Sequence, residues 1–171
     1  AAKRCNIKLY NRLITKYGKL HAVDKCQALF QQASAACELN EFSWGCLINA
    51  YSRCGNPDKA QKVLRDYAAQ EPGRPNAVMY TSVIKALSND GRLAEAVRWL
   101  RDMQERAADQ GGDGIETQRA YGAILRGCVR CGESQLALRL YDELLQRPSA
   151  AIQDTAARQS VRQACSLDPV P

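Results

Sequence analysis

Apolar residues recur three and four positions apart in stretch after stretch of this chain, the spacing of one face of an α-helix, and no strand-period segment of any length interrupts them. Over 42–53 the stripe is Trp44, Leu47, Ile48 and Tyr51. Gly55, Asn56, Pro57 and Asp58 then turn the chain, with Asp58 placed to cap the next helix. Ala60, Val63, Leu64 and Tyr67 form the stripe of that helix. The same order returns twice. Val78, Val83, Ile84 and Leu87 lead through Asn89-Asp90-Gly91 to Leu93, Ala96, Val97, Leu100 and Met103. Tyr121, Ile124, Leu125 and Cys128 lead through Gly132 to Leu136, Ala137, Leu140, Tyr141 and Leu144. The pattern predicts antiparallel helix pairs and an all-α chain.

The pairs are copies of one unit. An aromatic residue is followed eleven positions later by Gly and sixteen later by Ala at Trp44, Gly55 and Ala60; at Tyr80, Gly91 and Ala96; and at Tyr121, Gly132 and Ala137. A looser copy has Tyr10, His21 and Cys26. The aromatics step by 34, 36 and 41 residues. Units of this period stack and bury a continuous core only against their neighbours, so the chain is first of all a binder. The Gly suits a left-handed helix C-terminus, and the Ala suits a close helix crossing.

Connections account for the uneven period. The run 70–76, Gln-Glu-Pro-Gly-Arg-Pro-Asn, must break a helix. The run 107–115, centred on Gly111-Gly112-Asp113-Gly114, is the expected flexible loop and holds most of the extra length. After Leu145 the pattern fades; Arg147-Pro148-Ser149 stops the helix, and 152–165 predicts one more, either the start of an unfinished unit or a cap. The organisation expected is a single α-solenoid over 1–165, with units at 7–40, 41–76, 77–117 and 118–151 and a tail at 166–171.

Composition adds three points. With 171 residues, 46% hydrophobic and 25% charged, the chain has the make-up of a globular domain, and no apolar run approaches the length of a membrane span. The start, Ala1-Ala2-Lys3-Arg4, lacks the apolar core of a signal peptide, so a targeting segment is expected to have been removed or to lie outside this stretch. A net charge of +6 favours polyanionic partners. Eight cysteines without compact disulfide spacing read as buried free thiols in a reducing compartment. Cys128 and Cys131 have the spacing of half a zinc site, but no second pair completes it and the only histidine, His21, sits in a predicted turn. We expect no metal site, no cofactor and no bond between those two thiols.

The segments FSWGCLINAYSRCGNPDKAQKVLRDY, VMYTSVIKALSNDGRLAEAVRWLRDM and AYGAILRGCVRCGESQLALRLYDEL resemble the pentatricopeptide repeat, and LYNRLITKYGKLHAVDKCQALFQQA does so more faintly. The tetratricopeptide repeat shares the helix pair and period, but places a small residue four positions after its aromatic; here those positions hold Ile14, Ile48, Ile84 and Leu125. The resemblance covers 7 to about 147. It implies a right-handed α-solenoid of about four helix-turn-helix repeats that binds single-stranded RNA in a mitochondrion or plastid, about one base per repeat. By the family's pattern the residue after the aromatic and the last residue of the unit read the base together. Carried over, these pairs are Asn11 with Asn40, Gly45 with Asn76, and Thr81 with Thr117; a fourth begins at Gly122. The resemblance also implies that each base is clamped between aliphatic residues two positions before the aromatic; of Lys8, Phe42, Val78 and Arg119 only Phe42 and Val78 fit. Glycine at 45 and 122 departs from the pattern, because it has no side chain to read with.

Nine residues after each aromatic stand Lys19, Arg53, Asn89 and Arg130. The resemblance places Lys19, Arg53 and Arg130 toward RNA phosphates; the plainer role is a cation closing a helix. There is no Gly-rich phosphate loop, no histidine-based nucleophile and no deaminase signature, so the chain is expected not to be an enzyme and to take no small-molecule substrate. Asp109 and Asp113 read as a solvated loop. Two functions remain: an RNA-binding module in organellar RNA metabolism or translation, and an adaptor docking protein subunits in a large organellar assembly such as a ribosome or a respiratory or photosynthetic complex.

Overall fold

The computed structural model describes the chain over 6–70, 74–108 and 115–146. The centre of the expected loop, the expected terminal helix, Cys5, Cys165 and the tail lie outside the described residues. Eight α-helices are present there and no strand: α1 (Ile7–Lys19), α2 (Val23–Ala36), α3 (Glu41–Arg53), α4 (Pro57–Ala68), α5 (Ala77–Asn89), α6 (Leu93–Ala108), α7 (Ile115–Cys131) and α8 (Ser134–Leu145). They alternate as first and second helices of the four predicted pairs.

Each pair turns on one left-handed residue. Gly55, Gly91 and Gly132 have φ of +69°, +81° and +73°, and His21 takes the same place at +55°. In all four turns the next N–H reaches back five residues: Ala22 to the Tyr17 carbonyl (3.0 Å), Asn56 to Tyr51 (3.0 Å), Arg92 to Leu87 (3.0 Å) and Glu133 to Cys128 (2.9 Å). This is a Schellman closure, which satisfies carbonyls that the helix end leaves open. The helix after the second turn starts differently from the expectation. Asn56 is the N-cap, without a side-chain cap bond, and Pro57 occupies the first helical position, where its fixed φ suits the helix and its missing N–H costs nothing. Asp58 falls in the first turn instead.

The chain divides into two compact units, 1–86 and 87–171, with the division inside α5. In the first unit α1 packs on α2 and α3, and α3 packs on α2 and α4. The α1–α3 approach is close. A Cβ at Gly18 would lie 2.8 Å from the Ala50 Cβ and 2.9 Å from its Cα, so only glycine fits there. Trp44 stacks edge-on with Phe30 (centroids 5.0 Å apart) and tilted against Tyr67 (5.6 Å), tying α3 to both second helices.

In the second unit α7 packs on α6 and α8. Gly127 repeats the close approach: a Cβ there would meet the Ser88 carbonyl oxygen at 3.0 Å. Tyr121 occupies the position of Trp44, fully buried, but its ties are polar. Its hydroxyl donates to Glu143 Oε1 (2.5 Å) and accepts from Gln104 Nε2 (3.0 Å). Arg101 closes the network with two hydrogen bonds to the Glu143 carboxylate. The repeated alanines Ala60, Ala96 and Ala137 are buried, and Cys26 fills the same place in the first pair.

Cys26, Cys46, Cys54, Cys128 and Cys131 are free thiols, and no bond joins Cys128 to Cys131. Cys37 is the correction to the all-thiol reading: it is disulfide-bonded. It is the C-cap of α2, in extended backbone; of the free thiols Cys26, Cys46 and Cys128 are buried as expected, whereas Cys54 is half-buried and Cys131 exposed. Burial pushes the Cys128 thiol up to about 11, with Cys131 and Glu133 adding to the shift.

Two substitutions test the turns, and a third tests the buried thiol. Gly55 has open space around it, so Gly55→Ala isolates the backbone penalty of a left-handed alanine, about 1–2 kcal/mol. His21→Gly should shift stability the other way, by less, since glycine adds unfolded-state entropy; denaturant melts of the two variants read both. Cys128 is protonated in the folded chain at pH values where an unfolded thiol has ionised. Its contribution is therefore full below about 9 and is lost as pH rises toward about 11. Cys128→Ala should flatten the fall in unfolding free energy across that window.

Candidate nucleic-acid interface

The first helices α1, α3, α5 and α7 carry the predicted site residues, and helix geometry sorts them. Eleven residues make three turns plus about 20°. The position two before each aromatic therefore shares a face with the cation nine after it, as Phe42 does with Arg53. Phe42 and Val78 are both exposed, at 67% and 55% of their surface, which is unusual for large apolar residues at equivalent sites of successive units.

Asn40 and Asn76, two residues earlier, stand at the helix starts, exposed, and both are N-caps. Asn40 Oδ1 accepts from the Ser43 N–H (3.0 Å) and hydroxyl (2.8 Å). Asn76 Oδ1 accepts from the Met79 N–H (3.0 Å), while its Nδ2 donates to Glu41. Asn6 caps α1 in the same way through the Leu9 N–H (3.2 Å). This capping role was missed from the sequence, although Asn four residues before the aromatic in three units is its signal.

The other reading positions differ. Asn11 is 3% exposed and its Oδ1 is buried without a hydrogen-bond partner. Gly45 faces α5, with the Met79 Cε 3.7 Å from where its Cβ would be. Thr81 is half-buried and its hydroxyl donates to the Ala77 carbonyl (2.8 Å). Thr117 is buried at 3%, and α7 begins two residues before it, at Ile115, so the residue lies inside the helix rather than capping it.

At the opposite end of these helices Lys19 and Arg53 are exposed, with no ion-pair partner among the described residues. Arg130 is held: its Nη2 donates to the Ser88 carbonyl (2.7 Å) and to Asn89 Oδ1 (3.2 Å), closing the C-terminus of α5. Two neighbours of the sequence row, Asn89 and Arg130, are therefore in contact. Among the described residues no group of three or more His, Cys, Asp or Glu is gathered to hold a metal ion, and no helix is long and apolar enough to cross a membrane.

The model of the pentatricopeptide (PPR) repeat matches at 42–66, 78–106 and 119–148, the three units with the strictest aromatic, Gly and Ala spacing. The chain belongs to the pentatricopeptide repeat family. Its relatives in Arabidopsis thaliana carry the same family name. One, a mitochondrial protein, is 29% identical over 106 residues, covering 61% of this chain and 12% of that protein. A chloroplastic one is 28% identical over 107 residues, covering 63% and 18%. The chain spans 12% to 30% of the length of such relatives. Their names agree with the mitochondrial or plastid localisation implied by the repeat. The crystal structure of the maize pentatricopeptide repeat protein PPR10 superposes with a TM-score of 0.78 at 19% identity, covering 96% of this chain and 22% of that one. The fold is thus the family's all-α solenoid.

Asn76→Ala removes an N-cap and should cost about 1 kcal/mol of stability, whereas Asn76→Ser, which can still accept from the Met79 N–H, should retain most of it. Thermal unfolding separates the two.

Proposed function

We propose that this chain is a non-enzymatic helical-repeat module that binds single-stranded RNA in organellar RNA metabolism or translation, using four units at about 7–40, 41–76, 77–117 and 118–151. The observation that carries the reading is the repeated exposure of a large apolar residue, Phe42 and Val78, at equivalent positions of successive units, with Arg53 three turns along the face of Phe42 on α3. Apolar side chains stack against a base from either side, capping amides offer polar edges, and a cation follows the phosphates. Readout concentrates on Asn40, Asn76 and Thr81, since Asn11 and Thr117 are buried and Gly45 and Gly122 lack side chains. So sparse a set of readers also favours the second reading, an adaptor that docks protein subunits of a larger organellar assembly.

Anisotropy with short single-stranded RNA oligonucleotides across a salt series decides between them. RNA binding predicts measurable affinity at low salt that falls as salt rises. Replacing Lys19 and Arg53 with Gln should lower the slope of log affinity against log salt by about 1.4, equally for every sequence, at about 0.7 per phosphate contact. Phe42→Ala should weaken binding by about 1–3 kcal/mol through lost stacking. A wild-type chain without RNA affinity at low salt leaves the adaptor reading.

A further inference from the structure

The first helix carries a charge pattern of which the single-strand reading uses only Lys19. Its sequence, IKLYNRLITKYGK, holds four cations and no carboxylate. At about 100° per residue, Lys8, Arg12, Lys16 and Lys19 fall within an arc of about 80°, rising in steps of about 6, 6 and 4.5 Å. All four are exposed, and none has an ion-pair or hydrogen-bond partner among the described residues. The buried residues of α1, Asn11, Ile14 and Gly18, lie on the other side, against the rest of the unit. Folding explains the stripe only at its end, where Lys16 and Lys19 in the last turn suit the helix field. Lys8–Arg12 and Arg12–Lys16 are like-charge pairs one turn apart, which destabilise a helix, and Lys8 sits at the end where the helix field disfavours a cation. On α3 the counterparts of Leu9, Arg12 and Lys16 are Ser43, Cys46 and Ala50, small and buried residues that allow close packing. The side of α1 bearing Arg12 and Lys16 is thus not shaped for a helix packed in the α1–α3 register.

We propose that this stripe takes the phosphate backbone of double-stranded RNA, sharing Lys19 with the face proposed for single strands and extending from it through Arg12 and Lys16. A straight line of cations at near-regular spacing matches phosphates along one strand of a stiff duplex. Duplex RNA is recognised largely by shape and backbone contacts, and it asks for no stacking platform. Single strands use aromatic platforms; the two tyrosines of α1, Tyr10 and Tyr17, lie well round the helix from the stripe, and Tyr17 is covered by Lys25 (5.1 Å from nitrogen to ring centre). A membrane-surface helix lays an apolar face on lipid, and Leu9 is exposed beside the stripe, so vesicle binding is one outcome of the test.

The test uses the whole chain and an RNA duplex of about 16 base pairs, whose paired bases cannot enter the single-strand face. Arg12 and Lys16 carry no role proposed for single strands, so the variant is Arg12→Gln with Lys16→Gln; Lys62, Lys85 and Arg98 changed together to Gln serve as a charge control. The proposal expects duplex binding at low salt, weakened about tenfold in the double variant with a salt slope smaller by about 1.8, and little changed in the control. Single-stranded RNA binding should be the same for double variant and wild type, so loss of one activity is read separately from loss of the other. Equal duplex affinity for the wild type and the double variant overturns the proposal. So does stripe-dependent binding to phosphatidylserine vesicles or polyglutamate at salt where the duplex does not bind.

Discussion

Everything in this fold hangs on a residue that leaves each first helix with positive φ. The reach-back bond made by the next N–H closes the helix end and points the chain back along itself, so the second helix has no choice but to pair. Three of the four turns use glycine; the first uses His21, which bears the steric cost of a Cβ in the left-handed region. That substitution shows that the geometry, not the glycine, is what the repeat requires. The same turn fixes where the small residue of each second helix lands, and in the first pair Cys26 fills the space taken elsewhere by alanine.

Pairing alone does not place first helices side by side. Their approach depends on small residues such as Gly18 against Ala50 and Gly127 against Ser88, where a single added carbon would collide. Between α3 and α5 the small residue is Gly45, facing Met79, and on those two helices Phe42 and Val78 are exposed at equivalent repeat positions. The aromatic position locks neighbouring helices by two chemistries: an all-aromatic cluster around Trp44, and a hydrogen-bonded one around Tyr121, Glu143, Gln104 and Arg101. Both bind one first helix to two second helices, so the array tolerates the exchange.

Conflicts between local stability and exposure mark the surfaces that folding leaves unexplained. Exposed Phe42 and Val78 gain nothing from water, and the cations of α1 repel one another. Arg130 illustrates the opposite case. Its place in the repeat suggests a phosphate contact, yet its guanidinium closes the end of α5. Residues at one repeat position need not share one role.

The helix pairs, the turn residues and the repeat family were legible in the sequence, because hydrophobic period, left-handed glycine and a fixed spacing are local properties. Asn40 and Asn76 were visible as polar residues at the right spacing, but their capping bonds were not read, although they too are local. What the tertiary structure alone decided was accessibility. Asn11 and Asn40 look alike in sequence; packing buries the first with an unmatched oxygen and leaves the second at an exposed helix start. Thr117 is likewise buried, inside α7 rather than at its start. Cys37 pairs where the other described thiols do not, a matter of which sulfurs meet in space. Spacing fixes which residues share a face of one helix; only the packing of neighbouring helices fixes which of those faces meets water.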